Sequence, residues 1–224
     1  MLPADAVAVN AIQTMNVWKD AYDAATPGNS GGTMTMVDQP SMSGQARQFS
    51  STYTNGGGER YWASFGHDTM ATHFLYDTWV YLDSSVENIA NLEMDMNQVM
   101  PNGQTVIFGF QCDGYSKTWD YTMNSGTPEN PTDSWVHSTQ ACDVHDWSVN
   151  TWHHVQVLYS RDDAGNVNYQ SVWLDDAEQD INATAPSAFA LGWGPTLVTN
   201  VQVDGLGPSG SSTIYMDKLT VYRW

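Results

Sequence analysis

The chain has 224 residues, enough for one large sandwich or two small domains. Hydrophobic residues make up 41% and charged residues only 14%, a strand-and-loop composition unlike that of helical proteins. Seven basic residues face 25 acidic ones, and the net charge of −18 would repel phosphate backbones, anionic lipid surfaces and strongly anionic polysaccharides. Neutral ligands and cations remain.

The start, MLPADAVAVN, lacks the basic segment and long apolar core of a signal peptide and reads as a mature or recloned N-terminus. No run of 18 consecutive apolar residues occurs, so the sequence offers no membrane-spanning helix. Residues 5–25 are the best helical candidate, with Val9, Ile12 and Val17 at mixed spacing. Residues 1–32 are therefore expected to form a lead-in, either a short helix or irregular, ending in the turn cluster TPGNSGG.

From TMTMVDQ onward the chain reads as strand and turn almost without interruption. THFLYDTWVYLD is aromatic and β-branched. NIANLEMDMNQVM and TVIFGFQCDG flank Asn102-Gly103, a strong hairpin signal. NTWHHVQVLYSRD and VNYQSVWLDD flank DAGN and predict a second hairpin. FALGWG, TLVTNVQVDG and STIYMDKLTVYRW close the chain. With no domain linker and no repeat, one all-β domain over 1–224 is the economical reading, built from two antiparallel sheets packed face to face.

Cys112 and Cys142 are the only cysteines. An even count, an acidic composition and abundant Trp and Tyr fit an exported protein, in which the two could form a disulfide. Two free thiols in a cytoplasmic protein are the other reading. His137, Cys142 and His145 could instead be assembled as soft-metal ligands, although that would leave Cys112 unexplained.

In NLEMDMNQ, strand alternation puts Leu92, Met94 and Met96 on one face and Asn91, Glu93, Asp95 and Asn97 on the other. This is the half-buried pattern of a sandwich strand. The segment that follows supplies Trp119, Tyr121, Trp135 and Trp147 among Asp113, Asp120, Asp133 and His137. Sugars stack their C–H faces on aromatic rings and offer hydroxyls to Asp, Asn and Gln, so both kinds of group are present. Trp119 and Trp135, beside loops, are expected to be exposed. The opposite reading is that aromatics fill the core and the acids form a solvated polar row.

EMDMNQ resembles the catalytic strand of concanavalin A-like glycoside hydrolases, especially families 16 and 7, whose pattern is E-x-D-x-E or E-x-D-x-x-E. TWHHVQVLYSRDDAGNVNYQSVWLDD and STIYMDKLTVYRW resemble a hairpin and the closing strand of the same fold, also found in laminin-G and pentraxin-like domains. The resemblance covers roughly the C-terminal 140 residues. It implies a concanavalin A-like jelly-roll β-sandwich with a glycan groove along a concave face. It also implies that Glu93 would be the nucleophile of a retaining enzyme and Asp95 its assistant.

Such an enzyme needs a second carboxyl about 5 Å away. The two positions able to hold it carry Asn97 and, with a bulge, Gln98. The leading expectation is thus a secreted carbohydrate-recognition domain for a neutral polysaccharide or oligosaccharide, contacted through Glu93, Asp95, Asn97, Gln98, Trp119, Tyr121, Trp135 and His137. The alternatives are a glycoside hydrolase with a displaced acid, for which Asp113, Asp120 and His137 are nearest in sequence, and a polysaccharide lyase. A further class is an adhesion or structural sandwich with a protein ligand. The resemblance also implies a structural calcium ion, with Asp217 as its matching ligand.

Overall fold

Period-2 alternation governs nearly every element of the computed structural model, which describes residues 2–224. In chain order the strands are β1 (Val7–Val9), β2 (Lys19–Asp23), β3 (Asn29–Val37), β4 (Ala46–Thr54), β5 (Gly58–Ser64), β6 (His73–Leu82) and β7 (Ile89–Val99). They continue as β8 (Thr105–Phe108), β9 (Phe110–Asp113), β10 (Thr118–Asn124), β11 (Asp133–Ala141), β12 (Thr151–Arg161) and β13 (Asn166–Leu174). The last four are β14 (Ala177–Pro186), β15 (Ala188–Phe189), β16 (Leu197–Gly205) and β17 (Ser209–Arg223).

Two antiparallel sheets result. One runs β14-β13-β12-β6-β17-β4-β3, with β1 on β17. The other runs β11-β10-β9-β7-β16-β5-β2, with β8 bridging β7 and β15. The long central strand of each sheet thus pairs with strands distant in sequence.

Between the sheets lies one hydrophobic core. Leu92, Met94 and Met96 of β7, Val201 and Val203 of β16, and Phe110 and Cys112 of β9 face Phe74, Tyr76, Val155, Val157 and Tyr159 of the opposite sheet. Their alternate neighbours point away from the core. This parity sets which side chains line the outer face.

Both expected hairpins form. β7 pairs with β8 across a turn in which Gly103 takes φ 84°, and β12 pairs with β13 across a turn with Gly165 at φ 79°. These positive angles are cheap only for a residue without Cβ. Cys112 and Cys142 are joined in a disulfide with Cα atoms 5.3 Å apart, which ties β9 to the segment after β11. Cys142 is therefore no metal ligand, and the His137–Cys142–His145 reading falls.

The lead-in departs from its helical reading. Residues 7–9 and 19–23 are strands at the two sheets, and only Ile12–Thr14 form a single 3-10 turn. Apolar spacing there was mixed because Ile12 and Trp18 fill the core individually. They do not form one face of a helix.

Candidate functional site

β7 lies mid-sheet, so the polar face of NLEMDMN becomes the floor of a broader surface. Register across the strands builds transverse rows on the outer face. One row reads Arg60, Gln202, Glu93, Gln111, Asp120 and His137, from β5 through β16, β7, β9 and β10 to β11. A second reads Trp62, Asn200, Asp95, Gly109, Thr122 and Trp135. Here Gly109 lies opposite Asp95 by continuation of the β7 registers, and the Thr122 amide donates to the Gly109 carbonyl at 3.1 Å. The third includes Asp204, Asn91, Asp113 and Thr118.

Gly109 has a local reason. A Cβ there would come within 2.3 Å of the Thr122 side chain. The break it makes between β8 and β9 also frees the Phe110 amide, which donates to Asp95 Oδ1 at 2.9 Å.

The outer face of a flat sheet would leave such side chains open to water. Yet Glu93, Asp95, Asn97, Asn200, Gln202, Gln111, Asp113 and Asp120 are all buried. The sheet must therefore curl around its polar floor.

At the centre, Asn200 Nδ2 donates to Glu93 Oε1 at 3.1 Å and lies 3.5 Å from Asp95 Oδ2. Burial and the neighbouring Asp95 carboxylate push the Glu93 carboxyl well above its ordinary range. Burial likewise raises Asp95 to about 6, against the lowering pull of its hydrogen bonds with Glu93 and the Phe110 amide. Asp204 is also raised to about 6, by burial first. The Glu93–Asp95 pair therefore holds a proton far more readily than isolated carboxylates do.

Several expected contacts lie elsewhere. β7 carries no bulge between Asn91 and Gln98, so Gln98 has the parity of Met96 and faces inward. It donates to the Asp68 and Ala71 carbonyls at 2.8 and 2.7 Å and accepts from Arg161 Nε at 2.7 Å, which makes it a buried strut. Trp119 is wholly buried, stacked on Phe110 with centroids 5.1 Å apart. It stands opposite Cys112, a core position, and strand parity overrides its nearness to a loop. Tyr121 likewise packs toward the core, 4.8 Å from the Tyr169 ring. Glu93, Asp95, Asn97, Trp135 and His137 do share the outer face.

Sequence reading overlooked Asn200, Gln202, Asp204, Gln111, Arg60 and Trp62. The signal was present in TNVQVDG, where Asn200, Gln202 and Asp204 alternate with the core residues Val201 and Val203, as in NLEMDMN. Missing was the knowledge that β16 lies beside β7.

Asp217 does not fit a calcium ion. Its Oδ2 accepts from Ser41 Oγ at 2.7 Å and from the Met42 and Ser43 amides at 2.7 and 2.9 Å. Its Oδ1 accepts from Ser43 Oγ at 2.6 Å, Gln13 Nε2 at 3.1 Å and the Lys218 amide at 2.7 Å. Six protein donors converge where a cation would need lone pairs. Those bonds hold the Asp217 carboxyl below its ordinary pKa despite its burial.

No family model matches the chain, and no curated protein matches it. Solved structures do. The cellulose induced protein Cip1 aligns at TM-score 0.50 and 13% identity over 91% of this chain and 90% of its own. Arcelin-5, a lectin-like defense protein from Phaseolus vulgaris, aligns at 0.49 and 12% identity over 99% of both chains. The Bacillus licheniformis beta-glucanase aligns at 0.46 and 12% identity over 96% of this chain and 97% of its own. At these identities the likeness concerns fold alone, and the jelly-roll sandwich of two antiparallel sheets expected from sequence is the fold observed.

Proposed function

We propose that the curved outer face of the second sheet binds a neutral oligosaccharide or a stretch of polysaccharide, and that the protein works outside the cell as a recognition domain. The observation carrying this reading is the row Trp62–Asn200–Asp95–Gly109–Thr122–Trp135. Partly exposed indole rings stand at its two ends, with amide and carboxylate groups between them. Five strand spacings give about 24 Å from β5 to β11 along the sheet, room for several sugar units. Indoles offer stacking faces, and the floor offers donors and acceptors to hydroxyls. Gly109 keeps the middle of the row low.

The acidic floor selects for uncharged sugars. Glu93, Asp95, Asp204, Asp113 and Asp120 share it with Arg60 and His137, so a polyuronate would meet net repulsion. The disulfide is compatible with an oxidising compartment.

A retaining glycosidase is the second reading, and the raised Glu93–Asp95 pair is what favours it. Against it, the residues directly beside Glu93 on both neighbouring strands are amides, Gln202 and Gln111, and the outward position beyond Asp95 on β7 is Asn97. Amides hold hydroxyls well but supply no proton near neutral pH. Incubation with a panel of neutral polysaccharides, followed by affinity electrophoresis and product mass spectrometry, should give retardation without new oligosaccharides. Turnover that disappears in Glu93→Gln would establish the enzyme instead.

A further inference from the structure

Beside the glycan row, Asp113 of β9, Asp120 of β10 and His137 of β11 each bring one ligand atom to within 4.8 Å of the others. Donor atoms that close need only small side-chain shifts to stand about 2.0–2.2 Å from one ion. We infer that this cluster is a divalent-cation site taking Zn2+ or Mn2+, held by two carboxylates and one imidazole and open toward the groove.

The surroundings supply little positive charge. Asp113 is 5% exposed. Its Oδ1 accepts from the Tyr115 amide at 2.7 Å, and its other carboxylate oxygen receives a hydrogen bond from no donor among the described residues. Asp120 is fully buried beside it. Its Oδ1 accepts from Thr118 at 2.6 Å and its Oδ2 faces His137 Nδ1 at 2.8 Å. Lys117 sits in the turn between these two strands, yet its ammonium pairs with Asp143 at 3.2 Å. Among the described residues the two adjacent buried carboxylates thus have only His137 as a basic partner, and its side chain is 63% exposed.

The donor set decides the class of ion. Calcium and magnesium prefer all-oxygen shells, whereas imidazole with carboxylates suits zinc and manganese. His137 coordinates as neutral imidazole, so uptake displaces the His137–Asp120 hydrogen bond and any proton held there. Exposure of the ring leaves coordination positions facing solvent, where water or a sugar hydroxyl completes the shell. The site itself requires no sugar, so its fate is independent of the glycan reading.

The test uses the whole chain, stripped with chelator and dialysed. Zinc chloride is titrated by calorimetry and manganese chloride by electron paramagnetic resonance. One ion per chain is expected to bind, with affinity falling by about tenfold or more in Asp120→Asn and in His137→Ala. His137→Ala is the decisive variant, since it removes no negative charge and alters a side chain that is 63% exposed. Circular dichroism confirms that each variant is folded. Failure of the folded wild type to take up either ion stoichiometrically overturns the site. Uptake unchanged in His137→Ala does so too, because it would show only diffuse attraction to an acidic protein.

Discussion

Asn200 reaches across from β16 to Glu93, 107 residues away in sequence, and its amide nitrogen donates to the Glu93 carboxyl at 3.1 Å. One donor thus serves two buried acids, since Asp95 Oδ2 lies 3.5 Å from the same nitrogen. Burial raises the pKa of both carboxyls, and with its amides beside its acids the floor can both donate to and accept from a hydroxyl.

The buried acids fix a pH dependence. Asp95 and Asp204, both near 6, and Glu93, raised well above its ordinary range by burial, hold protons in the folded state that an unfolded chain releases near pH 4. Between about pH 4 and 6 the native state therefore binds more protons, and its stability falls as pH rises through that window. Urea unfolding at about pH 4.5 and 7.5 should show this decline. Asp204→Asn should flatten it by about 2–3 kcal/mol. Stability that climbs across the interval would contradict the assignment.

Asp217 works in the opposite direction. Its lowered pKa contributes stability above about pH 4 that is lost as pH falls below that value. Asp217→Asn leaves donors from Ser41, Met42, Ser43 and Gln13 without a charged acceptor and should cost about 3 kcal/mol or more. The cost, read by denaturant unfolding, should be identical with and without chelator. A loss seen only in the absence of chelator would restore a metal role to this residue.

Gln98 and Asn97 are neighbours with opposite roles. Gln98→Ala removes the acceptor for a buried arginine, since Arg161 Nε donates to Gln98 Oε1 at 2.7 Å with the arginine side chain only 2% exposed. Its midpoint in urea should shift by about 2–4 kcal/mol of stability while the affinity for sugar stays unchanged. Weakened binding in a folded Gln98→Ala protein would refute the inward placement.

The tryptophans separate in the same way. Trp62→Ala and Trp135→Ala each remove a partly exposed ring at an end of the row. Each should reduce polysaccharide affinity by about tenfold with little change in melting temperature. Trp119→Ala opens the core and should cost about 3–5 kcal/mol. Comparing the three by affinity electrophoresis and by thermal melting decides the matter, and full affinity in both groove variants would remove the stacking role.

Reduction of Cys112–Cys142 frees a loop with a sequence separation of 30. The chain-entropy argument predicts a loss of about 3–4 kcal/mol. Parallel urea curves with and without reductant measure it, and superimposable curves would show that the bond adds nothing.

The sequence by itself determined the all-β class, both hairpins and the side chains that share a face within each strand. All of these follow from local backbone geometry: a period of two, and turns that need glycine at positive φ. It also placed Glu93, Asp95 and Asn97 on one face, with the methionines opposite. Tertiary structure alone decided which strands are neighbours, and so joined Asn200, Gln202 and Trp62 to that face. It also decided which parity points inward on β10, where Trp119 stands opposite Cys112 and Asp120 stands opposite Gln111. Antiparallel pairing between distant segments depends on how two whole sheets bury their apolar faces together. No short window of sequence contains that information.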